Sequence, residues 1–296
     1  MSSATGTDNP RSLLDYLRLT EGFLAGKGID SPRLDSELLL ASVLGMTRVQ
    51  LYTSFERPLS REEVDAYRAL VRRRAAREPV AYILGRREFW SLEIEVDRRV
   101  LVPRPETELL VEQALQILRA RVAAGADAVR VADVGTGSGA IAVAIAKEIP
   151  QASVVATDRS EAALEVAPRN ACRHGVEGRI EWVSGDLLTA LSGRGAFDLI
   201  VANPPYIRSG EVAALPPEVR DWEPRMALVA GEDGMDSTRP LVLGAPELLA
   251  PGGWLAVEVG TQAGLVRQCF EETGYADVRV VRDLAGTERV VAGRRS

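Results

Sequence analysis

The chain has 296 residues, 46% of them hydrophobic and 26% charged, and a formal net charge of −6. That length sets one large core or two unequal ones, and the acidic balance excludes a protein built chiefly to grip a nucleic-acid backbone. A single histidine, His174, and two cysteines, Cys172 and Cys269, exclude a multi-histidine metal site and a disulfide framework. No metal is therefore expected, and two reduced thiols fit a cytoplasmic protein. No apolar run approaches the roughly 18–20 residues of a membrane span. The polar opening MSSATGTDNP lacks a secretion signal's apolar centre and reads as a frayed tail.

Residues 1–85 read as a small helical bundle. PRSLLDYLRLTEGFLAGKG spaces Leu13, Leu14, Leu17, Phe23 and Leu24 as one apolar helix face, and Gly26 and Gly28 stop it. Ser31 and Pro32 open a second helix, LDSELLLASVL, which Gly45 closes. Ser60 and Glu63 have capping-box spacing and open a helix that runs to about Arg77, before Pro79. The bundle carries no candidate reaction centre and reads as a substrate-docking module, with a stability cap as the alternative. Only Lys27 and Lys147 among the 36 basic residues are lysines, so arginine is a habit of the whole chain. VRRRAAR (71–77) accordingly reads as a solvated helix face rather than an RNA site.

Residues 86–103 alternate Leu92, Ile94 and Val96 with Glu93, Glu95 and Asp97, and then reach VLV at 100–102. This predicts a β-hairpin linker. PRPETELLVEQALQIL starts a helix behind two prolines, and 104–296 reads as one catalytic domain. From about 129 strands and helices alternate: VRVADVG, GAIAVAIAKEI, ASVVATD, EAALEVAPRNACRH, then strands RIEWVSGD, FDLIVANPP and GGWLAVEVG. A helix is expected near 237–249, and YADVRVVRD with ERVVAGRR predicts a terminal antiparallel hairpin. The pattern is an α/β, mostly parallel, doubly wound sheet. Pro168 predicts a kink or break in its helix. His174, before Gly175, reads as a helix end.

Three motifs carry chemistry. In VADVGTGSGAIA a strand runs into Gly135-Thr136-Gly137-Ser138-Gly139 and a helix follows at once. Such a turn lets backbone approach a ligand, and the helix start offers N–H groups to an anion. Its GxGxG spacing differs from the dinucleotide GxGxxG, which disfavours a nucleotide-dependent oxidoreductase. Asp158 ends the next strand, 19 residues past Gly139, where a carboxylate meets ribose hydroxyls. Asp186, ending the third strand, could reach an adenine amine, with Leu187 lining the base. Asn203-Pro204-Pro205-Tyr206 ends the fourth strand on the same rim. Its prolines leave carbonyl acceptors without donors, Asn203 adds a side-chain carbonyl, and Tyr206 adds a flat wall. The corner suits a planar NH₂ group awaiting group transfer. Acceptors on its N–H bonds would orient the lone pair and stabilise charge growing on nitrogen, with no strong base needed before attack.

Together, the strand-GTGSG-helix unit, Asp158 and NPPY resemble the class I S-adenosylmethionine-dependent methyltransferases. REFWSLEIEV with VLVPRPETELLVE, ANPPYI, WEPRMALVAGEDGM and RDLAGTERVV narrow the resemblance to the protein-(glutamine-N5) methyltransferases of peptide chain release factors, the HemK or PrmC family. NPPY alone is shared with DNA and RNA amino-methyltransferases. The family resemblance implies a seven-stranded sheet, S-adenosylmethionine as cofactor, and the glutamine of the release-factor GGQ motif as acceptor. It also implies that the N-terminal bundle helps to hold the release factor, with no direct nucleic-acid partner required. By position it implies that Gly135 to Gly139, Asp158, Leu187 and Asn203 bind the cofactor. Asn203 to Tyr206 would bind the glutamine amide, whose two protons go to the Asn203 side-chain oxygen and the Pro204 carbonyl. Arg104, Glu106 and Thr107 would line the same cleft. Leu187 departs from relatives that carry an aromatic over the adenine. A nucleic-acid amino-methyltransferase and a non-catalytic S-adenosylmethionine-binding protein are the alternatives.

Overall fold

The computed structural model describes residues 12–296, which form two compact units meeting between Gly85 and Arg86. The expected tail at the N-terminus lies outside the described residues.

The first unit is helical: α1 (Leu13–Ala25), α2 (Pro32–Leu44), α3 (Arg48–Tyr52), α4 (Arg61–Ala75) and α5 (Val80–Leu84). Capping boxes at Ser12/Asp15, Thr47/Gln50 and Ser60/Glu63 satisfy the first N–H groups of α1, α3 and α4. Ser31 precedes α2 without a side-chain cap. The short helices α3 and α5 fall outside the sequence reading, since five residues carry too little periodicity to detect. Leu13, Leu17, Leu39, Leu40, Leu51 and Tyr67 fill the core. The arginine run is a solvated face only in part: Arg72 and Arg73 are exposed, but two of its members turn inward or across. Arg74 is buried against Asp35 at 2.6 Å, Arg73 chelates Glu78, and Arg77 donates to the Gly28 carbonyl. Glu37 is a second hub, taking Arg48, Arg33 and the Tyr52 hydroxyl. Periodicity cannot separate a charged surface from a charged lining when the partners lie ~40 residues away.

The second unit begins with a hairpin, β1 (Arg86–Phe89) and β2 (Leu92–Glu95), turned by Trp90 and Ser91 at φ 52° and 57°. The two-residue turn makes this hairpin shorter than expected, and residues 100–102 are not strand. Then follow α6 (Glu108–Ala123), β3 (Val129–Val134), α7 (Ala140–Glu148), β4 (Ala152–Asp158), α8 (Glu161–Arg173), β5 (Ile180–Ser184) and β6 (Phe197–Ala202). After β6 come α9 (Pro217–Arg220), α10 (Thr238–Leu248), β7 (Leu249–Glu258), α11 (Ala263–Thr273), β8 (Ala276–Arg282) and β9 (Glu288–Arg294). The seven-stranded sheet has the order β5-β4-β3-β6-β7-β9-β8. β5 through β7 are parallel neighbours, and β9 is antiparallel to both β7 and β8. Among the described residues no helix is long and apolar enough to cross a membrane.

Strand alternation decides which helices cover which face. Ala132 and Val134 of β3 pack with Leu241 and Val242 of α10 and Val266 of α11. Asp133, between them, points the other way and meets the start of α7. α8 continues through Pro168 without a break. Its Asn170, fully buried, bonds both backbone groups of Glu95 and the Ser138 carbonyl, so one amide ties hairpin, helix and glycine turn together. His174 caps α8, and its Nε2 lies 2.9 Å from the Glu93 carbonyl.

Candidate active site

The glycine turn joins β3 to α7 with φ of 76°, 55° and 79° at Gly135, Gly137 and Gly139, values that L side chains adopt only under strain. Gly139 is also sterically required, because a Cβ there would lie 3.0 Å from the Ala167 Cβ and 3.2 Å from the Trp182 ring. Space above Gly135 and Gly137 is open. Two carboxylates brace the turn from below. Asp158 accepts from the Gly137 N–H at 2.9 Å and the Ser160 N–H at 2.8 Å. Asp133 accepts from the Thr136 hydroxyl at 2.7 Å and the Ala142 N–H at 3.1 Å, while its Oδ1 is buried with no partner. Burial pushes the Asp133 carboxyl up to about 7 against those two bonds. Burial likewise raises Asp158, opposed by the Ser160 and Gly137 amides.

These acids sharpen the reading of the loop. The Gly137 and Ala142 amides, available on sequence grounds to an anion, are already occupied by carboxylates. A diphosphate would meet two negative groups there, whereas a ribose hydroxyl or a cationic centre would be welcome.

Gly135, Gly137, Asp158, Asp186, Leu187 and Asn203-Pro204-Pro205 line one cleft. Its mixed lining, apolar side chains with a few convergent polar groups, is that of a cofactor site. Leu187 sits in the wall at φ 45°, an outlier for a branched side chain and of the sort that clusters at ligand sites. Asp186 is exposed at the rim. Thr136 and Ser138 are buried and do not line the cleft, and the Thr136 hydroxyl is turned to Asp133 beneath the loop. S-adenosylmethionine fits this donor set: the Asp158 carboxylate at the cleft wall suits ribose hydroxyls, and the open glycines admit close approach.

The second half of the site is the corner after β6. Asn203 is half-buried and donates through Nδ2 to the Thr107 hydroxyl at 3.1 Å. Tyr206 lies outside the cofactor cleft, in an adjoining groove with Ile207, Glu211, Gly260 and Arg289. Gly260 must lack a side chain, since a Cβ would come within 2.8 Å of the Tyr206 ring. The corner is thus a wall shared by two cavities. Burial raises the Tyr206 phenol, with Glu258 adding to the shift.

Segments remote in sequence converge here. Arg104 pairs with buried Glu223 at 2.6 Å, joining PRPETE to WEPRM. Asp283 accepts from the Thr287 and Ala285 amides and from Arg289 Nε, which organises the RDLAGTER turn. Arg289 then lies 3.8 Å from Glu106. Glu258, at the end of β7, is 3% exposed and pushed up to about 7, chiefly by burial. Asp133, Glu223 and Glu258 were not singled out in the sequence. A lone acid inside an apolar strand, as in VRVADV and LAVEV, was the available signal.

A glycine turn, a carboxylate on the neighbouring strand and an Asn-Pro-Pro-Tyr corner on one rim of this sheet define a class I S-adenosylmethionine-dependent methyltransferase. Residues 15–85 match the model of the PrmC N-terminal domain, and residues 107–215 match that of the methyltransferase small domain. The release factor glutamine methyltransferase of Geobacter sulfurreducens is 49% identical over 96% of both chains, and that of Chlorobaculum tepidum 45% identical over 94% of this chain and 95% of its own. The chain belongs to the release factor glutamine methyltransferase family. Among solved structures, the hMettl16 catalytic domain in complex with a 3′UTR hairpin superposes with a TM-score of 0.58 at 14% identity, over 94% of this chain and 91% of that one. The likeness extends the assignment of the fold alone.

Proposed function

We propose that this enzyme transfers a methyl group to the side-chain amide nitrogen of the glutamine in the GGQ motif of peptide chain release factors. The observation that carries the reading is full-length kinship to enzymes of that name, with an intact Asn203-Pro204-Pro205-Tyr206 corner between two cavities. S-adenosylmethionine, when bound, supplies an electrophilic methyl group on a sulfonium. Gly135, Gly137, Asp158, Asp186, Leu187 and Asn203 form the cofactor side, and Thr136, Ser138 and Gly139 serve it from beneath by holding the turn in shape. Asn203, Pro204, Pro205 and Tyr206 form the acceptor side.

An amide nitrogen is a weak nucleophile because its lone pair is delocalised into the carbonyl. Asn203 Oδ1 and the Pro204 carbonyl each accept one amide proton, which turns the lone pair toward the cofactor cleft. Both acceptors gain strength as positive charge grows on nitrogen, so they favour the transition state over the bound amide. Tyr206 closes the other side of the amide and excludes water. As the N–C bond forms, the bond from methyl to the sulfonium sulfur would break, leaving S-adenosylhomocysteine. The amide proton, acidic only then, would pass to solvent. The helical unit, residues 1–85, docks the release factor, and the hairpin region 86–103 leads from it into the catalytic domain, 104–296. The reaction takes place in the cytoplasm, where release factors are found, and needs no nucleic acid.

Labelled methyl transfer to purified release factor tests this, run beside a release factor whose GGQ glutamine is replaced and beside free RNA. Label is expected on the intact release factor alone. Label that survives loss of the glutamine, or that goes to RNA instead, refutes the assigned acceptor.

A further inference from the structure

Thr107 stands immediately before α6, where a threonine hydroxyl ordinarily caps the helix, yet it makes no capping bond. It is 4% exposed and its hydroxyl is used elsewhere. The Thr107 oxygen accepts from Asn203 Nδ2 at 3.1 Å, and the same hydroxyl favours the charged form of the buried Glu258 carboxylate, as a donor beside it does. A hydroxyl owns one proton, and an ionised carboxylate can only accept. The Thr107 proton must therefore go to Glu258, which leaves oxygen lone pairs toward Asn203. The far end of the chain of bonds thus dictates its direction.

We propose that Thr107 and Glu258 are positioning residues that fix which end of the Asn203 carboxamide faces the acceptor. The inference rests on the methyl-transfer reading above. An Asn203 turned by 180° would present an NH₂ group to a substrate NH₂ group, donor against donor, and could not bind it. The two orientations have nearly the same shape, so packing alone does not choose between them. The hydrogen-bond chain does.

A second observation points the same way. Glu258 Oε2 is buried without a partner, a costly arrangement that contributes nothing to stability. Four groups face this carboxylate: Glu106 and Arg104 from the segment before α6, Arg289 from β9, and Tyr206 from the corner. Glu106 raises its affinity for a proton and the two arginines lower it, while burial dominates. A protonated Glu258 can donate to Thr107. The Thr107 proton is then free to swing toward Asn203, where it favours Oδ1 and the unproductive orientation. Activity should accordingly need the ionised carboxylate and fall as pH drops through about 7.

The test uses the full chain, with release factor as methyl acceptor. Thr107→Val keeps the shape and removes the hydroxyl, and is expected to lower kcat by about tenfold or more. Its S-adenosylhomocysteine dissociation constant and Tm should stay close to wild type, and Thr107→Ser should recover most of the rate. Glu258→Gln, whose side-chain oxygen still accepts but cannot take up a proton, should remove the acid limb of kcat. A Thr107→Val enzyme with wild-type kcat overturns the proposal. So does a Thr107→Ser enzyme as slow as the valine variant, or an acid limb that persists in Glu258→Gln. The pH comparison stands even where Thr107→Val does not fold. Failure of the methyl-transfer reading itself shows separately, as a wild-type enzyme that leaves release factor unlabelled.

Discussion

The turn after β3 and the corner after β6 lie on adjacent strands, yet they are made rigid by different means. In the turn, backbone amides close onto two carboxylates, Asp133 of the same strand and Asp158 at the end of the next, and three glycines supply the conformation. In the corner, fixed prolines set the path, but the working side chain is held by Thr107 and Glu258, roughly 100 and 55 residues distant in sequence. The first construction stays within one strand-helix-strand unit and rests on backbone conformation. The second depends on tertiary structure and stakes function on the direction of single hydrogen bonds.

Substitutions should separate the two. The largest effect is expected at the corner: Asn203→Ala should leave S-adenosylhomocysteine binding measurable by calorimetry while kcat falls about 10²–10³-fold, the scale of one preorganised charge-stabilising bond. Near-normal turnover in that variant would sink the mechanism. In the turn, Gly139→Ala combines a forced positive φ with contact on Ala167, and should cost about 2–3 kcal/mol of stability and weaken cofactor binding. A melting temperature within a degree of wild type would show that the turn yields more easily than its geometry implies.

The smallest effect concerns Asp133. Its folded-state pKa of about 7 lies above the unfolded value, so the folded chain binds more protons between about pH 4 and pH 7. Its contribution to stability is therefore greatest in acid and is lost as pH rises through about 7, at up to about 1.4 kcal/mol per pH unit. Asp133→Asn retains an oxygen for Thr136 and Ala142, and should flatten the decline of Tm between pH 5 and pH 8. An unchanged slope would locate that proton elsewhere. Glu258, raised for the same reason, leaves a residual slope in either case.

The contrast between local and remote construction also explains what the sequence disclosed. All seven sheet strands stand where alternation and apolar runs placed them, because each is specified by its own few residues. The glycine turn and the Asn-Pro-Pro-Tyr corner are likewise continuous in sequence. The helix α11 lay beyond the reading: AGLVRQCFEET carries only three buried residues, too weak a stripe to stand out. The arginine run reads only as a solvated face because Asp35 and Glu78, partners of Arg74 and Arg73, give no periodic signal. Glu223 gives none either, and Glu258 gives only the weak one of an acid in an apolar strand. Each is an ordinary glutamate until the fold brings Arg104 or Thr107 against it.

One topological fact bears on how the molecule is made. β9 is the last strand in chain order, yet it occupies an interior position, paired on both sides by β7 and β8. During synthesis β7 is complete long before its second neighbour exists, and until β9 arrives it is an open, apolar sheet edge. Arg289 rides on that same late strand and reaches Glu106 beside the corner. A nascent chain that has already built its glycine turn therefore still lacks a finished acceptor groove. Methyl-transfer competence should appear only in the final stretch of translation, and the interval before it is when this chain most needs protection from its own kind.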